Sequence, residues 1–366
     1  MSGLLVVTGG AGFVGTPTVR AALEDGWSVR VVDSLRPDVH AAGRASEAFA
    51  ALADHPRVEL VVADVRDPGV ADAAVGDADA VVHLAAKVGL GVSFDDAPDY
   101  AASNGTGTAC VLAAMARQGV ARLVVASSMV VYGEGRYVTA ADPSGPPCQP
   151  PPRRTEDLER GVFDPLGPDG RPLVPVLVTE DAALDPRNVY AATKLHQEHL
   201  ASSWARVTGG TVALLRYHNV YGPGLPAGTP YAGVAALFLD ALARSRAPRV
   251  FEDGGQRRDF VHVDDVASAN LVAVGWTGDQ APGSARAFNV GSGEVHTVGE
   301  LASELAAATG GPSPVVTGEY RLGDVRHVTA SSERLRRETG WAPGVAFADG
   351  VRQLVAARPG GRAAVG

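Results

Sequence analysis

Tyr190 and Lys194 stand four residues apart in Asn188-Val189-Tyr190-Ala191-Ala192-Thr193-Lys194-Leu195. On a helix this spacing puts a phenol and an ammonium on one face, one turn apart. A phenol ionises near pH ~10 and is a poor base at neutrality. A fixed positive charge beside it favours the phenolate and draws the group toward the working range. Any surface helix can carry such a pair by chance. The pair acquires meaning only if a nucleotide-binding half and a third polar group precede it.

The chain that must position these groups has 366 residues, 46% of them hydrophobic, enough for one large α/β domain or two closely joined ones. Its net charge is -9 and no basic block appears, which argues against a nucleic-acid or anionic-membrane partner. The two cysteines, Cys110 and Cys148, make neither a disulfide framework nor a metal site, so no metal is expected. Met1 leads directly into an apolar run, without a charged leader, signal region or long apolar span. The expectation is a soluble cytoplasmic protein.

Apolar runs at residues 4–8, 29–32, 58–62, 80–84, 123–126 and 212–215 suit strands buried on both faces. Alanine-rich segments such as 17–24 and 106–117 read as helices between them. This alternation predicts an α/β fold, a Rossmann-type doubly wound parallel sheet. The pattern breaks after Gly133. Residues 134–186 include Pro146-Pro147 and Pro150-Pro151-Pro152, and proline fits neither a regular helix nor a central strand. So long a segment reads as an insertion, either a surface flap or a lid over the substrate end of the site. Segments 234–244, 260–274, 298–309 and 332–339 look like a smaller lobe interleaved with the sheet. The expected division is a cofactor domain over 1–180, with the insertion at about 134–186. The catalytic helix and smaller C-terminal substrate lobe follow over 181–357, with a flexible tail over 358–366.

Thr8-Gly9-Gly10-Ala11-Gly12-Phe13-Val14-Gly15 follows the first apolar run and opens a helix. Glycines there let the backbone approach a pyrophosphate, and the helix N-terminus supplies amide donors. Gly9, Gly12, Phe13, Val14 and Gly15 are the candidate contacts. Asp33, about 20 residues on, is placed to accept from ribose hydroxyls. A carboxylate there repels a 2′-phosphate, favouring NAD over NADP, although Arg36 lies close by. Asp64-Val65 ends the third run and is a candidate for the adenine amino group, with a turn-capping aspartate as the alternative. His83-Leu84-Ala85-Ala86 ends the fourth, where small residues suit close contact with a cofactor, making Leu84, Ala85 and Ala86 candidate contacts while His83 reads as packing.

At this point the chain resembles the extended short-chain dehydrogenase/reductases, specifically the NAD-dependent nucleotide-sugar epimerase/dehydratase family. The likeness spans roughly residues 3–355. Beside the cofactor loop, it rests on Ser127-Ser128-Met129-Val130-Val131-Tyr132-Gly133, on Tyr190-Ala191-Ala192-Thr193-Lys194, and on Arg216-Tyr217-His218-Asn219-Val220-Tyr221-Gly222-Pro223. It rests also on the segments around Arg258 and on Arg321-Leu322-Gly323-Asp324-Val325-Arg326. The resemblance implies that Ser128 holds the sugar oxygen, Tyr190 is the acid/base, and Lys194 binds nicotinamide ribose and tunes Tyr190. Asn104 would join the cofactor contacts. Met129 and Asn219 would line the sugar and diphosphate, Arg258 and Arg321 would neutralise phosphates, and Asp324 would accept from the nucleoside ribose. His218 and His262 read as packing residues.

Reactions in this family start with Tyr190 taking the proton of a sugar hydroxyl while hydride leaves that carbon for NAD. Relatives that dehydrate or decarboxylate the resulting keto sugar carry carboxylates just after the place of Ser128. Here those places hold Met129 and Val130, which cannot transfer protons. Return of hydride to the other face, 4-epimerisation, needs no such group and leaves NAD regenerated and tightly held. The motif set is most similar to the dTDP-L-rhamnose 4-epimerase-like branch, although of the paired cysteines often found in that branch's insertion only Cys148 is here. Dehydration, keto reduction, another epimerisation and a non-catalytic NAD sensor are the competing readings. The resemblance also implies a homodimer through a four-helix interface built from helices near 104–117 and 187–207.

Overall fold

In the computed structural model, residues 3–40, 45–89, 94–226 and 233–358 are described. The expected flexible tail therefore lies outside the described residues, apart from Arg358. Short β-branched runs build a seven-stranded sheet. Its strands are β1 (Leu4–Thr8), β2 (Ser28–Asp33), β3 (Val58–Val62), β4 (Ala80–His83), β5 (Arg122–Ser128), β6 (Thr211–Tyr217) and β7 (Ala285–Val290). Their spatial order is β7-β6-β5-β4-β1-β2-β3, parallel throughout. The order reverses between β1 and β4, which opens a crevice at the C-terminal ends of these strands. β1 to β6 lie on the expected apolar runs. β7 was not foreseen, because Ala-Arg-Ala-Phe-Asn-Val at the sheet edge buries only its last three residues fully.

Alternate residues face opposite layers, as the two-residue period of a strand requires. Leu5 and Val7 of β1 enter one core, and Val6 enters the other. Helices α1 (Gly15–Glu24), α2 (Gly107–Gln118), α3 (Val189–Thr208), α4 (Val234–Ala243), α5 (Val263–Gly278), α6 (Val298–Thr309) and α7 (Phe347–Ala356) complete the layers. α2 and α3 cover one face and α1 and α5 the other. α4, α6 and α7 enclose a third core around Phe260 and Leu301, the smaller C-terminal lobe.

Two expected lobe segments lie elsewhere. α5 packs on α1, β5 and β6, and Glu333–Thr339 packs on β7 and α5. Their buried Val266, Ala269, Ala273 and Leu335 belong to the large-sheet core, where small side chains allow a helix to sit close to the strands.

The insertion is more ordered than its prolines imply. Arg136–Thr139 pairs antiparallel with Leu173–Val176, and Thr155–Glu159 forms a short helix. Both strands stay in a two-stranded sheet, which tolerates Pro175. The insertion is pinched at its base. Gly133 has φ +65°, and a Cβ there would lie 2.4 Å from the carbonyl oxygen of Asp185. Asp185 N in turn donates to Val131 O at 2.9 Å. Among the described residues, no helix is long and apolar enough to cross a membrane.

Candidate active site

The β1–α1 loop is held from two sides. Ala11 N donates to Asp33 Oδ2 at 3.1 Å, so the end of β2 fixes the turn. Gly15 opens α1 so close to the loop that a Cβ would stand 2.2 Å from Gly9 O. Asp33 is buried and also accepts from Leu35 N at 2.9 Å. At the end of β4, His83 bridges Thr8 Oγ1 at 2.7 Å and Thr108 Oγ1 at 2.9 Å. Burial first, then the charge of Lys194, lowers its pKa to about 3, so it is a neutral packed ring.

One cleft of about 390 Å³ joins this loop to the acid/base group. Gly9, Gly12, Phe13, Val14, Gly15, Asp33, Asp64, Val65, Leu84, Ala85, Ala86, Ser128 and Tyr190 all line it. Asn104 does not. It lies in the π-helical stretch Ala101–Thr106, fully buried, where its amide donates to Lys87 O at 3.0 Å and Thr193 Oγ1 at 2.9 Å. There it ties the segment after β4 to α3. Asp64 is engaged by Arg66, with contacts of 2.6 to 3.0 Å, and this hydrogen bonding holds its carboxyl below the usual range. Arg36 pairs with Asp38 at 2.9 Å and Asp99 at 2.8 Å, so its fork is committed to these carboxylates.

Asn188 caps α3 through a bond from Ala191 N to its Oδ1 at 2.8 Å. The cap sets the register that aims Tyr190 into the cleft. Ser128, the last residue of β5, lines the cleft beside Tyr190 and favours its charged form. Burial pushes the phenol up to about 12, against the pull of Ser128, and neighbouring Tyr100 adds to the rise. The two tyrosine rings are 6.1 Å apart.

Lys194 departs from the expected arrangement. Its Nζ donates to Ala126 O at 3.0 Å and stands 6.0 Å from the Tyr190 ring centroid. Burial lowers its pKa to about 7, with Glu198 pulling the other way. In this arrangement Ser128, rather than Lys194, favours the phenolate. Spacing placed the two groups on one helix face but carried no information on how deeply each is buried.

The remaining predicted substrate residues are not in the cleft lining. Met129 lies in a 3₁₀ turn and packs on Val131, Tyr132 and Val178. Asn219 opens a short strand paired with Phe260–His262 in the lobe, and its Oδ1 is buried without a hydrogen-bond partner. Arg258 donates to Val325 O at 2.7 Å and Arg326 O at 2.9 Å. Arg321 lies 5.2 Å from the Phe251 ring. Burial raises the Asp324 carboxyl, while Arg321, Arg258 and Arg153 oppose the rise. Arg153 comes from the insertion and was not foreseen. It pairs with Glu252 at 2.7 Å and donates to Asp324 O at 2.6 Å. A lone arginine among prolines carries no signal in sequence. Lys87, Tyr100 and Tyr217 were also unassigned by sequence. Lys87 and Tyr217 line the cleft, and Tyr100 stands beside Tyr190.

This geometry agrees with comparisons to known proteins. The chain is 34% identical over 356 residues to the dTDP-L-rhamnose 4-epimerase of Burkholderia thailandensis, covering 96% of this chain and 93% of that protein. It is 32% identical over 352 residues to the UDP-glucose 4-epimerase of Mycolicibacterium smegmatis, covering 96% of each. Among solved structures, the UDP-glucose 4-epimerase of Thermus thermophilus in complex with NAD superimposes with a TM-score of 0.72 at 28% identity, over 97% of this chain and 98% of that one. The UDP-glucose 4-epimerase of Stenotrophomonas maltophila, with bound NAD and formylated UDP-arabinopyranose, superimposes with a TM-score of 0.77 at 27% identity, over 96% of each chain. The profile of the NAD dependent epimerase/dehydratase family matches residues 5–156 and 164–291, which takes in the glycine loop, Ser128, Tyr190 and Lys194. With these motifs assembled on one parallel sheet, the chain belongs to the NAD dependent epimerase/dehydratase family.

Proposed function

We propose that the protein is an NAD-dependent nucleotide-sugar 4-epimerase, acting on a dTDP- or UDP-hexose or 6-deoxyhexose. The observation that carries this is the single cleft in which the glycine loop meets Ser128 and Tyr190, with Met129 and Val130 where other chemistries need carboxylates.

The residues fit the cofactor. The Gly9/Gly15 contact leaves no room for a side chain between loop and helix, so a phosphate can approach the helix N-terminus closely. Each Asp33 oxygen accepts one backbone N–H and keeps a lone pair for a ribose hydroxyl. Asp33 and the committed Arg36 together favour NAD over NADP. NAD, when bound, supplies the acceptor and later the donor of hydride. Ser128 holds the sugar oxygen, and Tyr190 removes and returns its proton. Lys194 supports the nicotinamide ribose. Asn219, Arg258, Arg321 and Asp324, with Arg153 added from the insertion, hold the nucleoside diphosphate.

We divide the chain as its motifs suggest, a cofactor domain to about residue 180 and a catalytic helix and substrate lobe to 357 interleaved with it, β6, α5 and β7 belonging to the large sheet. Exposed Ala109, Ala113, Ala192 and His196 on α2 and α3 support a homodimer through a four-helix interface. A monomer in light scattering at micromolar concentration counts against it. Cys110 and Cys148 are free thiols, which suits a cytoplasmic location.

The test is incubation of purified protein, without added cofactor, with UDP-, dTDP- and GDP-sugars. Inversion at C4 seen by NMR is the expected result. A stable 4-keto-6-deoxy product, or net consumption of NADH, sinks the proposal.

A further inference from the structure

His218 lies one residue beyond β6, at the junction between the cleft and the smaller lobe. Its backbone N–H donates to Val290 O at 3.0 Å, and the next residue begins the short strand that enters the lobe. Tyr217, just before it, is in register with Ser128 across β5 and β6. His218 is one of the residues lining the same cleft as Ser128, Tyr190 and Tyr217, with both ring nitrogens shielded from solvent. His218 is only 4% exposed, yet neither ring nitrogen has a hydrogen-bond partner. Asn289 lies close to the ring. Its amide donates to Val178 O at 2.9 Å and Ser331 O at 3.3 Å, and its oxygen accepts from Tyr132 at 2.7 Å.

The other buried histidines sharpen this contrast. Both nitrogens of His83 are bonded to threonine hydroxyls. His327 accepts from Arg257 N at 3.0 Å through Nδ1 and meets Asp164 at 3.1 Å through Nε2. His262 keeps one nitrogen for Asp264 N at 3.3 Å. His40 also lines the cleft, with its Nε2 3.6 Å from Asp33 Oδ1, so among the buried histidines described His218 alone leaves both nitrogens unmatched. Burying an unmatched polar atom is unfavourable, because its hydrogen bonds to water are lost and not replaced. A phenylalanine would fill similar space without that cost, so packing does not account for an imidazole here.

Burial lowers the ring's pKa to about 3, with Asn289 opposing, so it is neutral at ordinary pH. A neutral imidazole presents one donor and one acceptor. Its natural complement is a group that can also do both.

We propose that His218 is a specificity-determining residue whose neutral ring hydrogen-bonds a donor–acceptor group of a bound ligand, either a sugar hydroxyl or the nicotinamide carboxamide. The proposal rests on the reading that the cleft takes NAD and a nucleotide sugar. The two sources share one chemistry and separate by experiment.

The test compares wild type, His218→Phe and His218→Gln, the last keeping a donor and an acceptor. Affinities are measured for NAD, for UDP and dTDP, and for UDP-glucose and dTDP-glucose. Thermal unfolding is followed on the cofactor-free proteins. His218→Phe is expected to unfold at a higher temperature than wild type while losing about tenfold in affinity for one ligand, the worth of one hydrogen bond. If the partner is a sugar hydroxyl, the sugar nucleotides weaken while UDP, dTDP and NAD do not. If it is the carboxamide, NAD weakens and the sugar nucleotides do not. His218→Gln is expected to restore most of the loss. Should His218→Phe fail to fold, His218→Leu removes the same two nitrogens with less bulk and is read in the same way. Affinities for NAD and sugar nucleotides all within about twofold of wild type overturn the proposal, since no hydrogen bond was lost. A wild type that binds neither NAD nor any sugar nucleotide overturns the functional reading, and the proposal with it.

Discussion

Tyr190 shows how far spacing reaches and where it stops. A spacing of four positions from phenol to ammonium puts both on one helix face, but their pKa values follow from burial, which drives the phenol to about 12 and the lysine to about 7. Both shifts disfavour the charged form, so the ligand-free site holds little phenolate at neutral pH. Difference titration of cofactor-free wild type against Tyr190→Phe, by phenolate absorbance, should therefore show no ionisation of Tyr190 below pH ~10. In the epimerase assay the same variant should lose about 10²–10⁴ in rate, the span of general acid–base catalysis, while still binding NAD. Loss of NAD binding would make Tyr190 a structural residue instead. The convergence of the glycine loop, Asp33, Ser128 and Tyr190 on one cleft was legible because it depends on residue type and position along the chain. Arg153 and His218 were not, because what distinguishes them is a partner, or the lack of one, from a distant segment.

Among the elements, the insertion is the one whose composition misled. Its prolines implied a loose loop, yet it is stapled to the lobe by buried charge. Arg326 meets Asp164 at 2.8 Å from the insertion, and Glu252 and Asp253 at 2.8 and 2.7 Å from the lobe. Glu134 accepts from Arg326 N at 2.6 Å and from the Tyr137 hydroxyl at 2.9 Å. These ties hold the insertion against the lobe in this structure. Arg153→Ala removes one tie while leaving Glu252 its bond to Arg326, so the cost should be about 1–3 kcal/mol rather than collapse. Faster cleavage within the insertion under limited proteolysis, with weaker UDP or dTDP binding by calorimetry, is the expected pair of results. Unchanged nucleotide binding would remove Arg153 from the clamp. The sheet strands could be read off the sequence because burial on both faces writes a continuous apolar run; β7 escaped because an edge strand has no need of one.

Taken as a whole, the molecule buries several groups that prefer to be neutral, and its stability must depend on pH. The pKa of Lys194 falls from 10.5 unfolded to about 7 folded. The unfolded chain thus binds the extra proton between those values, and stability rises with pH across that window. His83 and His218 fall from 6.5 to about 3, so their contribution is complete above pH 6.5 and is lost as acid is added toward pH 3. The cofactor-free protein should accordingly melt at a higher temperature at pH ~9 than at pH ~7, and Lys194→Met should flatten that slope. A slope unchanged in the variant would place its origin elsewhere.

Strand β7 carries a consequence of a different kind. It completes the sheet beside β6, yet 67 residues separate the end of β6 at Tyr217 from the start of β7 at Ala285. Between them the chain builds α4 and part of the lobe before α5 returns to the sheet. Parallel pairings of such long sequence separation form slowly, because loop closure must be met before the contacts repay it. A nascent chain carrying Ser128 and Tyr190 but not yet residue 290 has β6 as an open edge, which is an invitation to pair with another molecule. Refolding from denaturant should therefore lose yield as protein concentration rises, and a chain truncated before β7 should aggregate rather than persist as a soluble cofactor-binding fragment.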